Sequence, residues 1–353
     1  MKTVKTYRRS ASFLLLVCMT LFACGGGSSG DTSSSDDSDP SVTRTTRVVY
    51  YKTDGSVNYC SLYTYDANGK KTLNAGYSGA GTDAQWFNAD DVVSGYSRYT
   101  YDAGGNLIRN AGYSGAGADG LWLTADDMVS GYGSYTFDAD NNKTKLVYHQ
   151  NDGNDNQWFT SDDGVSNYST FTYDANGNET RSAFFNSPGM DGKWLTSDDV
   201  PLEYSANTYD ANGNLVLTVT CNGFGPDGQW FTADDTVSNY TAYTLDVNGN
   251  NALAVMYVGS GNDGQWFTAD DEVSAYAAFT SDADGNYTRI VNYTGAGTDG
   301  QWFTSDDAVS LYDIYTYDAD GNNTLDVCYK GAGTDGVWFT SDDVKFSEVQ
   351  QTY

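Results

Sequence analysis

The chain has 353 residues, with 47 acidic and 18 basic side chains and a formal charge of −29 at pH 7. A field of that sign excludes a basic face for nucleic acid or for an anionic membrane surface. An aromatic content of 15% with eight Trp excludes a disordered polyanion.

At the amino terminus a basic stretch (Lys2, Lys5, Arg8, Arg9) leads into an apolar run from Ser12 to Met19, then Leu21-Phe22-Ala23-Cys24. The run is too short to span a bilayer as a helix. Residues 1–23 resemble a bacterial lipoprotein signal peptide, which implies cleavage before Cys24 and acylation of its thiol. Acyl chains at roughly 0.8 kcal/mol per buried CH₂ would hold the chain to a membrane effectively permanently. Gly25 after the Cys implies, by the same resemblance, sorting to the outer membrane, facing the periplasm or displayed at the surface. An ordinary secretory signal cut elsewhere is the competing reading. Cleavage removes four basic residues and no acid, leaving 14 basic against 47 acidic side chains and a charge of −33. Residues 24–43, the lipidated Cys and a Gly/Ser/Asp-rich stretch, read as a flexible tether.

Residues 44–62 are a degenerate copy expected to cap a sheet. Residues 63–350 hold eight 36-residue copies with no insertion or deletion, and residues 351–353 end the chain. A period of this length means one supersecondary unit stacked on its neighbours. In the copy 99–134, Tyr99-Thr100-Tyr101 alternates aromatic and β-branched residues and Asp102-Ala103-Gly104-Gly105-Asn106 supplies turn residues, a hairpin signal. Return strands keep period two, as in Leu253, Val255 and Tyr257. A loop follows with Gly at 81, 117, 153, 189, 225, 261, 297 and 333, a slot suited to positive φ. Next come Trp-Phe-Thr, expected as a third short strand, and Thr-x-Asp-Asp, expected as a single helical or tight turn. The eight Trp, at 86, 122, 158, 194, 230, 266, 302 and 338, are expected as a structural spine, with a carbohydrate-stacking row as the functional reading. The predicted fold is all-β: eight β-hairpin repeats forming an elongated or spiralling antiparallel sheet. The alternative is an eight-bladed β-propeller, for which a 36-residue unit is tight because a blade has four strands.

Phe-Thr-Tyr-Asp-Ala-Asn-Gly-Asn at 171–178 resembles the YD repeat of the RHS family, whose hairpins join into one long spiralling sheet. The likeness covers about a third of every copy. The Gly-x-Asp-Gly-x-Trp-Phe-Thr-x-Asp-Asp half is similar to insertions in uncharacterised bacterial lipoproteins. Large RHS proteins carry a shell and a C-terminal toxin. Only three residues follow the eighth copy, so that family's toxin activity is not expected.

Catalysis needs one preorganised constellation, whereas this chain repeats the same residues eight times, so no enzyme is expected. The sole His, His149, stands where other copies have Tyr and reads as a substituted strand aromatic. Cys60, Cys221 and Cys328 fall at different repeat positions and read as strand substitutions, with a Cys221–Cys328 bridge left open. Every copy has an Asp pair: Asp90 and Asp91, Asp126 and Asp127, Asp162 and Asp163, Asp198 and Asp199, Asp234 and Asp235, Asp270 and Asp271, Asp306 and Asp307, Asp342 and Asp343. Seven residues before each pair lies another: Asp83, Asp119, Asp155, Asp191, Asp227, Asp263, Asp299 and Asp335. Three carboxylates in a Gly-rich loop suit Ca²⁺, which takes six to eight oxygens. Turn capping and a solvated surface are the alternative. Adjacent acids point apart, so glycoside hydrolysis is disfavoured. The expected function is a membrane-tethered scaffold or binding module for a protein or glycan, calcium-stabilised, with recognition at variable segments such as Tyr148–Asn151 or Phe184–Pro188. A polysaccharide-active or carbohydrate-binding propeller is the alternative.

Overall fold

The computed structural model describes residues 44–52 and 56–351; the signal segment, Cys24 and the tether lie outside them. Among these residues there are 18 strands and no helix. They are β1 Arg44–Tyr51, β2 Val57–Tyr65, β3 Lys71–Gly79, β4 Val92–Tyr101, β5 Leu107–Gly115, β6 Met128–Phe137, β7 Lys143–Asn151, β8 Gly164–Tyr173 and β9 Glu179–Phe185. The second half holds β10 Glu203–Tyr209, β11 Leu215–Gly223, β12 Thr236–Leu245, β13 Asn251–Gly259, β14 Glu272–Ser281, β15 Tyr287–Gly295, β16 Ala308–Tyr317, β17 Asn323–Tyr329 and β18 Lys345–Gln351.

Every strand pairs antiparallel with its neighbours in sequence, as the hairpin repeats predict. The first and last strands also pair, with Thr46 opposite Gln351, Val48 opposite Val349 and Tyr50 opposite Ser347. The repeating sheet therefore closes into a barrel rather than running open as a spiral. Its hairpins share one ladder, which separate propeller blades would not. Closure leaves no unpaired edge. Bulges recur at fixed repeat positions, between Thr100 and Tyr101 and on either side of Tyr113, then again between Thr244 and Leu245 and around Tyr257. Each adds local twist and bend, and their repetition supplies the coiling that closure requires.

One rim carries the short hairpin turns. Asp102 Oδ1 accepts the Asn106 N–H at 2.8 Å, and the Asp102 N–H donates to the Asn106 carbonyl. The tyrosine of the Tyr-Asp motif ties neighbouring hairpins together. Tyr101, Tyr173, Tyr209 and Tyr317 donate their hydroxyls to the carbonyls of Lys71, Lys143, Glu179 and Tyr287, 30 residues earlier, at 2.8–2.9 Å.

The other rim carries the long loops, which fold back over one face of the sheet. A cavity of about 350 Å³ lies against the opposite face of β4–β8. A hollow walled by five consecutive strands marks that face as the concave, inner one. The principal hydrophobic cluster, Val147, Tyr168, Ala183, Phe185, Tyr204 and Cys221 with Trp194 and Trp230 against it, sits on the outer face beneath the loops. On the inner face Ala254, Ala277, Ile290 and Cys328 are buried as well. The Trp-Phe-Thr segment forms bends and turns, so the third strand expected there is absent among the described residues, and the Thr-x-Asp-Asp segment forms a tight turn closed by the Asp235 N–H donating to the Thr232 carbonyl.

Candidate functional site

The repeated loop shows what the conserved-looking acids of each copy do. In the loop from Phe224 to Asp235, Asp234 Oδ2 accepts the Asp227 N–H at 3.1 Å and Asp234 Oδ1 accepts the Thr232 hydroxyl at 2.8 Å. Asp227 Oδ1 accepts the Gln229 N–H at 2.8 Å. Asp235 Oδ2 accepts the Phe231 and Thr232 N–H groups at 2.6 and 3.1 Å and the Tyr204 hydroxyl at 2.7 Å. Hydroxyl and backbone donors hold the Asp234 carboxyl below its ordinary range. Burial pushes Asp235 up, but the Tyr204 hydroxyl and the two N–H donors outweigh it and the net shift is downward.

The Tyr-to-Asp bond recurs in seven copies, from Tyr96–Asp127 to Tyr312–Asp343, at 2.6–2.8 Å. Each pins a loop onto the strand before its own hairpin, so it fastens one repeat to the next. The Trp of the loop meets the same tyrosine edge-on, with ring centroids 6.2 Å apart for Tyr204 and Trp230. Phe231 follows at φ 72° and packs on Tyr204 at 4.9 Å, with the Arg181 guanidinium 4.4 Å from its ring. The strained backbone at Phe231 is thus held by contacts on both sides. The first loop departs from the pattern: Cys60 occupies the tyrosine slot, and burial leaves the Asp91 carboxyl raised.

The loop glycine is required in all eight copies. A Cβ at Gly81, Gly117, Gly153, Gly189, Gly225, Gly261, Gly297 or Gly333 would overlap the following Asp90-type residue. Positive φ holds at six of them; Gly189 and Gly225, which adjoin Pro188 and Pro226, are needed on steric grounds alone.

The three acids of the loop each accept backbone N–H groups and share the Thr232 hydroxyl, which lies 3.5, 2.8 and 3.2 Å from oxygens of Asp227, Asp234 and Asp235. Among the described residues no group of three or more His, Cys, Asp or Glu is arranged to hold a metal ion. Backbone N–H and hydroxyl donors engage oxygens of all three acids, the arrangement of turn capping. A melt of the full chain with millimolar calcium against excess chelator, followed by Trp fluorescence, is expected to show the same midpoint in both. A rise of several degrees confined to calcium would reverse this.

His149 stacks on Tyr132 with centroids 4.3 Å apart, and its Nε2 lies 3.2 Å from Ser134 Oγ. Burial pushes its pKa down, so it remains a neutral aromatic, as its repeat position predicts. Cys60, Cys221 and Cys328 are buried free thiols, with no Cys221–Cys328 bridge. Burial pushes Cys60 up to about 12.

The sequence pointed to the variable segments Tyr148–Asn151 and Phe184–Pro188 but not to the inner wall they belong to, several of whose slots differ between copies. Facing the lumen, the slot of Ser97 is filled by Gly133, Ser169, Ser205, Thr241, Ala277 and Asp313 in later copies. The slot of Gly112 holds Tyr148, Phe184, Thr220, Met256, Asn292 and Cys328. The outer face keeps Tyr at 96, 132, 168, 204, 240, 276 and 312 beneath the loops, though its slot of Arg98 varies to Ser134, Thr170, Ala206 and Ile314; the inner face in turn keeps an aromatic at Tyr99, Tyr135, Phe171, Tyr243, Phe279 and Tyr315. Reading each strand by face rather than by repeat would have separated the two. Two acids also enter this wall late in the chain. Asp313 is buried, and Asp326 on the adjacent strand has its Oδ1 sealed from solvent without a hydrogen-bond partner.

No family model matches this chain, and no curated protein is similar to it in sequence. Among solved structures it is similar to a porin-like protein from Bacteroides uniformis, at 10% identity and TM-score 0.39, over 88% of this chain and 97% of that one. A porin-like protein from Bacteroides vulgatus is similar at 11% identity and TM-score 0.28, over 88% and 98%. A TcdB2–TccC3–TEV structure is similar at 15% identity and TM-score 0.31, over 88% of this chain but 16% of that one.

Proposed function

We propose that the chain is a non-enzymatic envelope protein, tethered to a membrane through lipid on Cys24, whose repeated outer face is scaffold and whose inner wall is the binding surface. The observation that carries this reading is the division of labour between faces. The outer network repeats the same Tyr, Trp and Asp contacts, while the inner wall, aromatic at the slot of Tyr99 in most copies, varies at the slots of Ser97, Asn110 and Gly112. The outer face also carries Arg98, Arg109, Lys145, Arg181 and Arg289 and is overlaid by Asp-rich loops. A barrel embedded in lipid presents an apolar band there instead, so the barrel is read as sitting in water at the end of its tether.

Expression of the full chain in a Gram-negative host, followed by fractionation, tests the tether. The parent chain is expected in the membrane fraction and Cys24→Ala in the soluble one; a variant that stays with membranes would sink the anchor. Cross-linking in the envelope is expected to capture a specific partner or glycan, and incubation with envelope polysaccharides to release no new reducing ends. Release of such ends would replace this reading with an enzyme.

A further inference from the structure

Resting on the reading of the barrel as a binding module, we infer that the cavity on the inner wall of β4–β8 is a site for a neutral polyhydroxylated ligand, a saccharide unit. The cavity, about 350 Å³, is lined by Ser97, Asn110, Gly112, Gly133, Tyr148 and Gln150 among others. That volume falls at the lower end of small-molecule sites, roughly 300–1,000 Å³. It exists because this stretch of wall is built from small residues. Later copies fill the slots of Gly112 and Gly133 with Phe184, Met256 or Thr241 and the slot of Asn110 with Ile290. A Cβ at Gly133 would lie 2.5 Å from Asn110 Oδ1 and 3.4 Å from Tyr148 Cε1, so glycine there is what lets both side chains lie across the hollow.

The chemistry of the lining selects the ligand. Tyr135 donates its hydroxyl to Asn110 Oδ1 at 3.1 Å, which orients the amide and leaves its Nδ2 hydrogens for a guest. Among the described residues the Ser97 hydroxyl and the Gln150 amide make no hydrogen bond within the protein. Amides and hydroxyls offer donors and acceptors side by side, the complement of a sugar hydroxyl, which does both. Tyr148, 39% exposed, adds an aromatic surface for the C–H face of a ring. No carboxylate, Lys or Arg lines the hollow, and the imidazole of His149 is turned to the outer face against Tyr132. A chain at −29 repels anions over its whole surface, which disfavours acidic sugars and phosphorylated ligands.

Calorimetric titration of the full chain with maltotriose, cellotriose and chitotriose, with sialyllactose as the anionic comparator, tests the site. Binding of at least one neutral trisaccharide is expected, with sialyllactose weaker. Asn110→Leu and Gly112→Met, side chains that the fold already accommodates in the same slots as Leu146 and Met256, are expected to weaken binding at least tenfold while shifting the melting temperature by no more than a few degrees. Undiminished binding by both variants would overturn the site but leave the binding-module reading standing. No binding of any neutral sugar, or tighter binding of sialyllactose, would overturn the saccharide assignment; envelope cross-linking separately decides whether the barrel binds anything.

Discussion

Replacing Asp326 by Asn is expected to raise the melting temperature at pH 8 by about 5 °C and to change it much less at pH 5. The Asp326 carboxyl lies on the inner wall, across from Tyr315 on β16 and Val349 on β18. Burial, and then the neighbouring Asp313 carboxylate, push it up to about 8. Tyr317 on β16 lies within its field and is raised, chiefly by burial. An acid whose pKa is raised on folding binds its proton more tightly in the native state. Its contribution is therefore fully present below the unfolded value near 3.9 and is lost as pH rises through about 8. At 1.36 kcal/mol per pKa unit the cost of ionising it in place has an upper bound of roughly 6 kcal/mol. The side chain is largely but not fully buried, and residual solvent access reduces the expected effect to about 2–3 kcal/mol. The same slot holds Asn74 and Asn110 in the first two copies, so the amide has precedent in this wall. Melts at pH 5 and pH 8 of the parent and the variant decide the matter. Equal pH dependence in both would show that Asp326 ionises without penalty.

Much of the barrel was legible in the sequence, and the limits of that reading have physical causes. The strands follow from alternation and from the Asp-x-x-Gly-Asn turn, whose chemistry is local and fixes its own geometry. Closure was not legible, because it depends on Val48 meeting Val349 across the full length of the chain, a contact no repeat encodes. The loop acids illustrate a different limit. Asp227, Asp234 and Asp235 have the spacing of an oxygen-rich cage, yet the same spacing places backbone N–H groups within hydrogen-bond reach of all three. Sequence counts carboxylates but not the donors that the backbone turns toward them. Trp230 sits as a core residue at the loop, though as the edge-on partner of Tyr204 rather than as part of a continuous stack. The cavity was anticipated only in part, through the departure of Tyr148–Asn151 from the repeat. Its floor comes from Asn110, Gly112 and Gly133, which look unremarkable until the two faces of each strand are told apart.

Asp235→Ala is expected to be the most damaging single change in the outer network, costing about 3 kcal/mol and lowering the melting temperature by roughly 6 °C. Asp235 is 8% exposed and its Oδ2 receives three donors: the Tyr204 hydroxyl and the N–H groups of Phe231 and Thr232. Truncation leaves all three without their acceptor beneath a packed loop, and a buried donor without a partner costs about 1–3 kcal/mol. Phe231 also loses the bond that holds it at φ 72°, so the contacts of its ring with Tyr204 and Arg181 loosen together. Asp235→Asn keeps one acceptor oxygen and is expected to cost about half as much. Tyr204→Phe removes a single charge-assisted bond, and its combination with Asp235→Asn is expected to fall short of additivity by about 1 kcal/mol. Because the hydroxyl helps hold Asp235 below its ordinary range, the stability it contributes is present above pH 4 or so and lost on further acidification. Tyr204→Phe should move that acid transition upward. Urea unfolding of the four proteins at pH 7 measures the coupling. Strict additivity, or an alanine variant within about 0.5 kcal/mol of the parent, would mean that the loops decorate the barrel instead of fastening its repeats.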